Sequence, residues 1–188
     1  MTSPADAPSA DSARSAALVF VGPMGAGKTS IGRKVAKRLG VPFTDTDKAV
    51  AAAHGPIPEI FAAHGEAHFR ALERDAVRAA LAHGGVVALG GGAVLDPTTR
   101  ASLADHRVVL LTVDPRVVRG RLGDGGRPLL AGEDPMERWT RIAEERRPVY
   151  DEVADVVFDT SRGPLQDVVD AIVAWAQTDT ARNGQEQE

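Results

Sequence analysis

Ala17-Leu18-Val19-Phe20-Val21-Gly22-Pro23-Met24-Gly25-Ala26-Gly27-Lys28-Thr29-Ser30 runs from five apolar residues into a glycine-rich turn that fits G-x-x-x-x-G-K-[ST]. The apolar run reads as a buried strand, and the residues after Lys28 open a helix. A turn between the two lets consecutive backbone N–H groups face inward around a polyphosphate. Lys28 adds a fixed cation for the β and γ oxygens, and the Thr29 hydroxyl is a ligand for Mg²⁺. The helix also points the positive end of its dipole at the anion. A nucleoside triphosphate is the ligand this arrangement suits.

Beyond this turn, short apolar β-rich runs alternate with longer helical patterns. The runs are Ala17 to Val21, Val41 to Thr44, Val86 to Leu89, Val108 to Val113 and Val156 to Phe158. Such alternation predicts an α/β fold, a parallel sheet covered by helices on both faces, with ligand chemistry at the carboxyl ends of the strands. Ile31, Val35 and Leu39 form the apolar stripe of the first helix, Arg33, Lys34, Lys37 and Arg38 its solvated face, and Gly40 its stop. Helical spacing recurs from about Glu66 to His83, and from about Pro135 toward Arg146 with Trp139 and Ile142 on its apolar stripe. Trp139 and Trp175 read most simply as core.

Composition narrows the possibilities. A chain of 188 residues suits one domain, expected over residues 16–177, flanked by a disordered extension at 1–15 and a flexible polar tail at 178–188. The net charge of −4 offers no general attraction to nucleic acid or anionic membrane, so anions must be held locally. The sequence has no cysteine, which excludes disulfides and thiol chemistry. Its opening residues lack the basic and apolar regions of a signal peptide. The expectation is a cytoplasmic monomer that engages neither nucleic acid nor membrane.

Further candidates follow the strands. The second run leads into Asp45-Thr46-Asp47, where strand alternation sends both carboxylates to one side, one for the metal and the other for an attacking hydroxyl. The simpler reading of Asp47 is a cap for a helix starting near Lys48. Arg70 stands beside Phe69 with Glu73 a turn later, suited either to gripping a planar carboxylate or to an ordinary helical ion pair. Arg146 continues the apolar face of Trp139 and Ile142, where a solvated arginine has no place.

Gly90-Gly91-Gly92 follows the third strand, admitting a ligand to the backbone and standing where many phosphate-loop proteins carry a metal-binding aspartate. That role falls to Asp45. The glycine-rich stretch around Arg127-Pro128-Leu129-Leu130, about residues 122–135, reads as a lid, and about 45–75 as the substrate-binding region. His64 and His68 flank Glu66 without the H-E-x-x-H pattern or a third ligand and do not make a metal site.

Taken in order, the phosphate loop, Asp45-Thr46-Asp47, Phe69-Arg70, Gly90-Gly91-Gly92, Arg127-Pro128-Leu129-Leu130 and Arg146-Arg147-Pro148-Val149-Tyr150 closely resemble the shikimate kinases, over about Leu18 to Val169. The resemblance implies a three-layer α/β/α fold with a five-stranded parallel sheet, related to nucleoside monophosphate kinases, with a substrate-binding insertion and a lid. It implies Mg²⁺-dependent transfer of the ATP γ-phosphoryl group to the 3-hydroxyl of shikimate, giving ADP and shikimate 3-phosphate on the route to chorismate.

By the same resemblance Gly25, Ala26, Gly27, Lys28, Thr29 and Ser30 hold ATP, with Arg127 on the transferring phosphate and Arg162 near adenine. Thr29 and, through water, Asp45 serve Mg²⁺. Asp47, Arg70, Gly91 and Arg146 bind shikimate, with Asp47 the candidate base and Lys28 and Arg127 sharing in catalysis. The adenine-stacking arginine before the lid is Arg119 or Arg121; spacing leaves both open.

A related small-molecule kinase, such as one acting on gluconate, is the nearest alternative. A nucleotide acceptor would need further cations between Val50 and Ala67, which offers only histidine. A GTP-dependent switch would need N-K-x-D, and the only asparagine is Asn183.

Overall fold

The computed structural model describes residues 16–122 and 134–185. Residues 1–15 and 123–133, which hold the expected extension, Arg127 and nearly all of the expected lid, lie outside the described residues.

The strands are β1 (Leu18–Val21), β2 (Phe43–Asp45), β3 (Val86–Ala88), β4 (Arg107–Thr112) and β5 (Val156–Asp159). All pair in parallel in the order β2-β3-β1-β4-β5. Every residue of β1 is buried, because β1 is the central strand and is covered on both faces. Leu18 and Phe20 face one layer, packing with Ile31, Val35, Val169 and Ile172. Val19 and Val21 face the other, with Val77, Leu81, Leu103 and Tyr150. The expected strand at Val41 begins instead at Phe43, and Val41 is exposed.

On the first face lie α1 (Lys28–Leu39) and α7 (Leu165–Gln185). Gly40 ends α1 in the left-handed conformation, its N–H donating to the Ala36 carbonyl. α7 continues through the segment expected as a polar tail from Thr178, reaching Gln185. The opposite face carries α3 (Ile57–His83), α4 (Pro97–Leu103) and α6 (Pro135–Val153). α2 (Thr46–His54) packs on the first half of α3, where Val50, Ile60 and Phe69 form a separate small core. Between β4 and the expected lid lies α5 (Pro115–Leu122).

Two helices exceed the sequence reading. α3 starts at Ile57 instead of Glu66, with Gly65 at φ 77°, ψ 175° kinking it. That left-handed φ suits glycine alone, so the break in pattern reads as a boundary although the chain resumes its helix at once. α6 runs on to Val153 with Pro148 inside it. Among the described residues no helix is long and apolar enough to cross a membrane.

The turn after β1 is geometrically demanding. Gly22 sits at φ 132°, and a Cβ there would lie 2.2 Å from the Leu111 carbonyl oxygen. Only a residue without a side chain lets the chain leave β1 here and wrap toward α1 beside β4.

Candidate active site

A cleft of about 700 Å³ opens at the carboxyl ends of the central strands. Gly25, Gly27, Lys28, Thr29 and Ser30 line one side; Asp47, Arg70, Gly91 and Arg146 line the other, with Asp45 between. The sequence reading names all ten of these. Ala26, read as part of the phosphate cradle, is fully buried under the loop. Its carbonyl accepts from Thr160 Oγ1 at 3.0 Å, tying the loop after β5 beneath the phosphate turn. Arg162 is exposed and is not among the cleft-lining residues, although Leu165 is. Arg119 is also exposed, beside Arg116 and Met136 in a separate groove between α5 and α6.

Lys28 folds back over the loop, Nζ donating to the carbonyls of Gly22 at 2.6 Å and Pro23 at 2.9 Å. Thr29 Oγ1 donates to Asp45 Oδ2 at 2.6 Å, which places a hydroxyl and a carboxylate from β2 side by side. Such oxygen donors suit a hard divalent cation bound partly through water. Asp45 also anchors the next helix, since its Oδ1 accepts from the Lys48 N–H at 3.1 Å and caps α2. The cap is therefore Asp45 and not Asp47, whose carboxylate is left for the cleft.

The two aspartates converge for a reason other than strand alternation. Asp45 ends β2 while Asp47 already belongs to the first turn of α2. Thr46 between them is wholly buried and pins this corner, its Oγ1 accepting from the Gly90 N–H at 3.1 Å and donating to the Ala88 carbonyl at 3.4 Å. Burial pushes the Asp47 carboxyl above its ordinary value, and the negative charge of Asp45 adds to this against the pull of Lys28 and Arg70.

Arg70 is held on both flanks. Its Nη1 donates to Glu73 Oε2 at 2.6 Å and its Nη2 to Glu66 Oε1 at 3.0 Å. Glu73 is 3% exposed, and burial raises its carboxyl despite the adjacent guanidinium. Burial opposes the charge on Arg70, but Glu73 and Glu66 outweigh it and hold Arg70 more firmly protonated than usual. This pair is a positioning device, since desolvation of the carboxylate offsets much of the attraction.

The glycine run admits the protein's own side chains more than a ligand. A Cβ at Gly90 would lie 2.4 Å from Asp47 Oδ1 and 2.7 Å from Glu73 Oε1, and one at Gly92 would lie 2.6 Å from Arg70 Nη1. Only Gly91 has ordinary clearance, its nearest neighbours being the Gly22 carbonyl and the Tyr150 hydroxyl at 3.7 Å. The glycines thus let an aspartate, a glutamate and an arginine close on one loop.

Sequence reasoning reads Trp139 as core, and it is 4% exposed. It also lines the cleft, and its Nε1 donates to the Met24 carbonyl at 2.9 Å, fastening α6 to the phosphate loop. Tyr150 closes the quoted stretch Arg146-Arg147-Pro148-Val149-Tyr150, but sequence reasoning gives it no role. Its hydroxyl donates to the Gly91 carbonyl from a position 2% exposed. The available signal is its place four residues after Arg146, one helical turn along the same face.

A parallel sheet with a phosphate loop at its central strand, facing a cage of carboxylates and arginines of small-molecule size, defines a phosphate-loop small-molecule kinase. The sequence model described as shikimate kinase matches residues 24–177. A shikimate kinase of Salinispora arenicola is 53% identical over 163 residues, 84% of this chain and 96% of that one. One of Streptomyces coelicolor is 48% identical over 157 residues, 82% of this chain and 91% of the relative. A shikimate kinase structure from Acinetobacter baumannii, in complex with shikimate, superposes with a TM-score of 0.82 at 33% identity, covering 88% of this chain and 96% of that one. This chain belongs to the shikimate kinase family.

Proposed function

We propose that the protein transfers the γ-phosphoryl group of ATP to the 3-hydroxyl of shikimate. The observation that carries this reading is the meeting of Asp47, Arg70 and Arg146 in one cleft beside Lys28. A singly charged acid bearing hydroxyls needs guanidinium groups for its carboxylate and a carboxylate for its hydroxyls. The known relatives support the choice of shikimate among such acids.

In this reading the backbone of residues 25–30 and the Lys28 ammonium hold the β- and γ-phosphates. Thr29 and Asp45 hold Mg²⁺, which when bound neutralises phosphate charge. Arg70 and Arg146 grip the shikimate carboxylate, with the Gly91 backbone beside them. The acceptor hydroxyl oxygen forms a bond to the γ-phosphorus as the bond to the β,γ-bridging oxygen breaks, and ADP leaves. Asp47 orients that hydroxyl and takes its proton, the raised affinity of its carboxyl for a proton suiting it to the exchange. Arg127, from outside the described residues, is assigned to the transferring phosphate by its place in the family pattern. Trp139 and Phe61 present apolar surface that excludes water around the reacting groups.

An ADP-release assay across shikimate, gluconate and nucleoside monophosphates, each with ATP and Mg²⁺, tests the reading. ADP release with shikimate alone is expected; turnover of gluconate in preference to shikimate would replace it.

A further inference from the structure

We propose that Tyr150 is a positioning residue for the acceptor carboxylate, locking Arg146 and the Gly91 backbone into one register from beneath. The inference rests on the acceptor reading given above and extends it to a residue outside the clamp itself.

Three observations meet at the phenol. The hydroxyl donates its only proton to the Gly91 carbonyl. The Arg146 guanidinium lies beside it, near enough for its positive charge to act on the phenol. A Cβ built on Gly91 would stand 3.7 Å from that hydroxyl and 3.8 Å from Arg146 Nη1, so both side chains border Gly91. A phenol has one donor, and here it is committed to the backbone of the acceptor site.

The ring is anchored as firmly as the hydroxyl. Tyr150 is 2% exposed and packs in the apolar cluster of Val21, Leu89, Ala93 and Leu110, on the sheet face that supports the glycine run. Burial raises the phenol's pKa, so it remains a donor throughout the neutral range. The α6 helix carries both Arg146 and Tyr150, while Gly91 belongs to the loop after β3. The hydroxyl is therefore the tie between the helix that supplies a guanidinium and the loop that supplies backbone to the same ligand. Without it, Arg146 can turn toward Glu73, which is near enough to feel its charge.

The test is Tyr150→Phe, which keeps the ring and removes the tie. Kinetics are measured with shikimate varied at saturating ATP, then with ATP varied at saturating shikimate, beside a thermal melt. The shikimate KM should rise about tenfold, as for loss of a hydrogen bond that leaves a part-buried carbonyl unpaired, with the ATP KM unchanged and kcat within about threefold. In an Arg146→Ala background the same substitution should change the shikimate KM by less than about threefold, because the main group it positions is gone. An unchanged shikimate KM overturns the proposal. So does a parallel rise in both KM values, as a loosened or unfolded variant would show, or a full tenfold effect that persists without Arg146. Failure of the wild-type protein to phosphorylate shikimate would instead overturn the functional reading on which it rests.

Discussion

Around the phosphate loop, Gly25, Gly27, Lys28, Thr29 and Ser30 reach the cleft from six consecutive residues. On the acceptor side, Asp47, Arg70, Gly91 and Arg146 arrive from α2, α3, the loop after β3, and α6. The donor side depends on backbone N–H groups and a helix end, which local geometry supplies wherever the loop folds. The acceptor side depends on side-chain tips brought close enough to touch, and its glycines are needed for their missing Cβ atoms. A contiguous site is robust to movement of its surroundings; a convergent one is only as accurate as the packing of every element that feeds it.

The comparison breaks most severely at Asp47. Asp47→Asn should lower turnover about 100- to 10,000-fold while leaving ATP affinity intact, as initial rates and nucleotide titrations would show. An active variant would remove Asp47 from proton transfer. The same substitution should stabilise the fold. Because the folded pKa lies above the unfolded one, the folded state holds the proton more tightly, and stability declines as pH rises from the ordinary value near 4 through the raised one. Asp47→Asn should therefore raise Tm at neutral pH, with the gain shrinking as pH falls toward about 4. In the wild type, the acidic limb of kcat/KM should lie above the ordinary aspartate value for the same reason.

Next in size is the contrast within the glycine run. Gly90→Ala brings a methyl carbon 2.4 Å from Asp47 Oδ1, and relief of that contact should cost about 1–3 kcal/mol in denaturant unfolding and weaken acceptor binding. Gly91→Ala meets nothing nearer than 3.7 Å, so it should retain stability and lose only acceptor affinity, its methyl group occupying cleft space. Equal stability for the two variants would refute the account of why these glycines are there.

The smallest effect tests the donor side. Trp139→Phe removes one hydrogen bond to the Met24 carbonyl, worth about 1 kcal/mol. A rise of about fivefold or less in the ATP KM is expected, with the shikimate KM unchanged. An effect confined to shikimate would place Trp139 with the acceptor elements instead.

Much of this is legible in order along the chain. The strand-turn-helix at Val21 to Lys28, the parallel alternation and the residues Asp47, Arg70 and Arg146 follow from pattern and from family resemblance. The kink at Gly65 reads as a boundary because a left-handed glycine interrupts periodicity without ending a helix. Strand alternation pairs Asp45 with Asp47 for the wrong reason, because the helix begins between them. Trp139 looks like core because burial and a polar tip are independent properties, and sequence reports only the first.

By itself the sequence determined the fold class, the triphosphate turn and the chemical types available to grip an acceptor, since these depend on local backbone preference and on which side chains recur at which spacing. Tertiary structure alone decided that Asp45 rather than Asp47 caps α2, that Gly90 and Gly92 make room for Asp47, Glu73 and Arg70, and that Tyr150 ties Gly91 to the helix that carries Arg146. Those facts are distances between residues far apart in the chain, set by how layers pack against the sheet, and no spacing along one dimension encodes them.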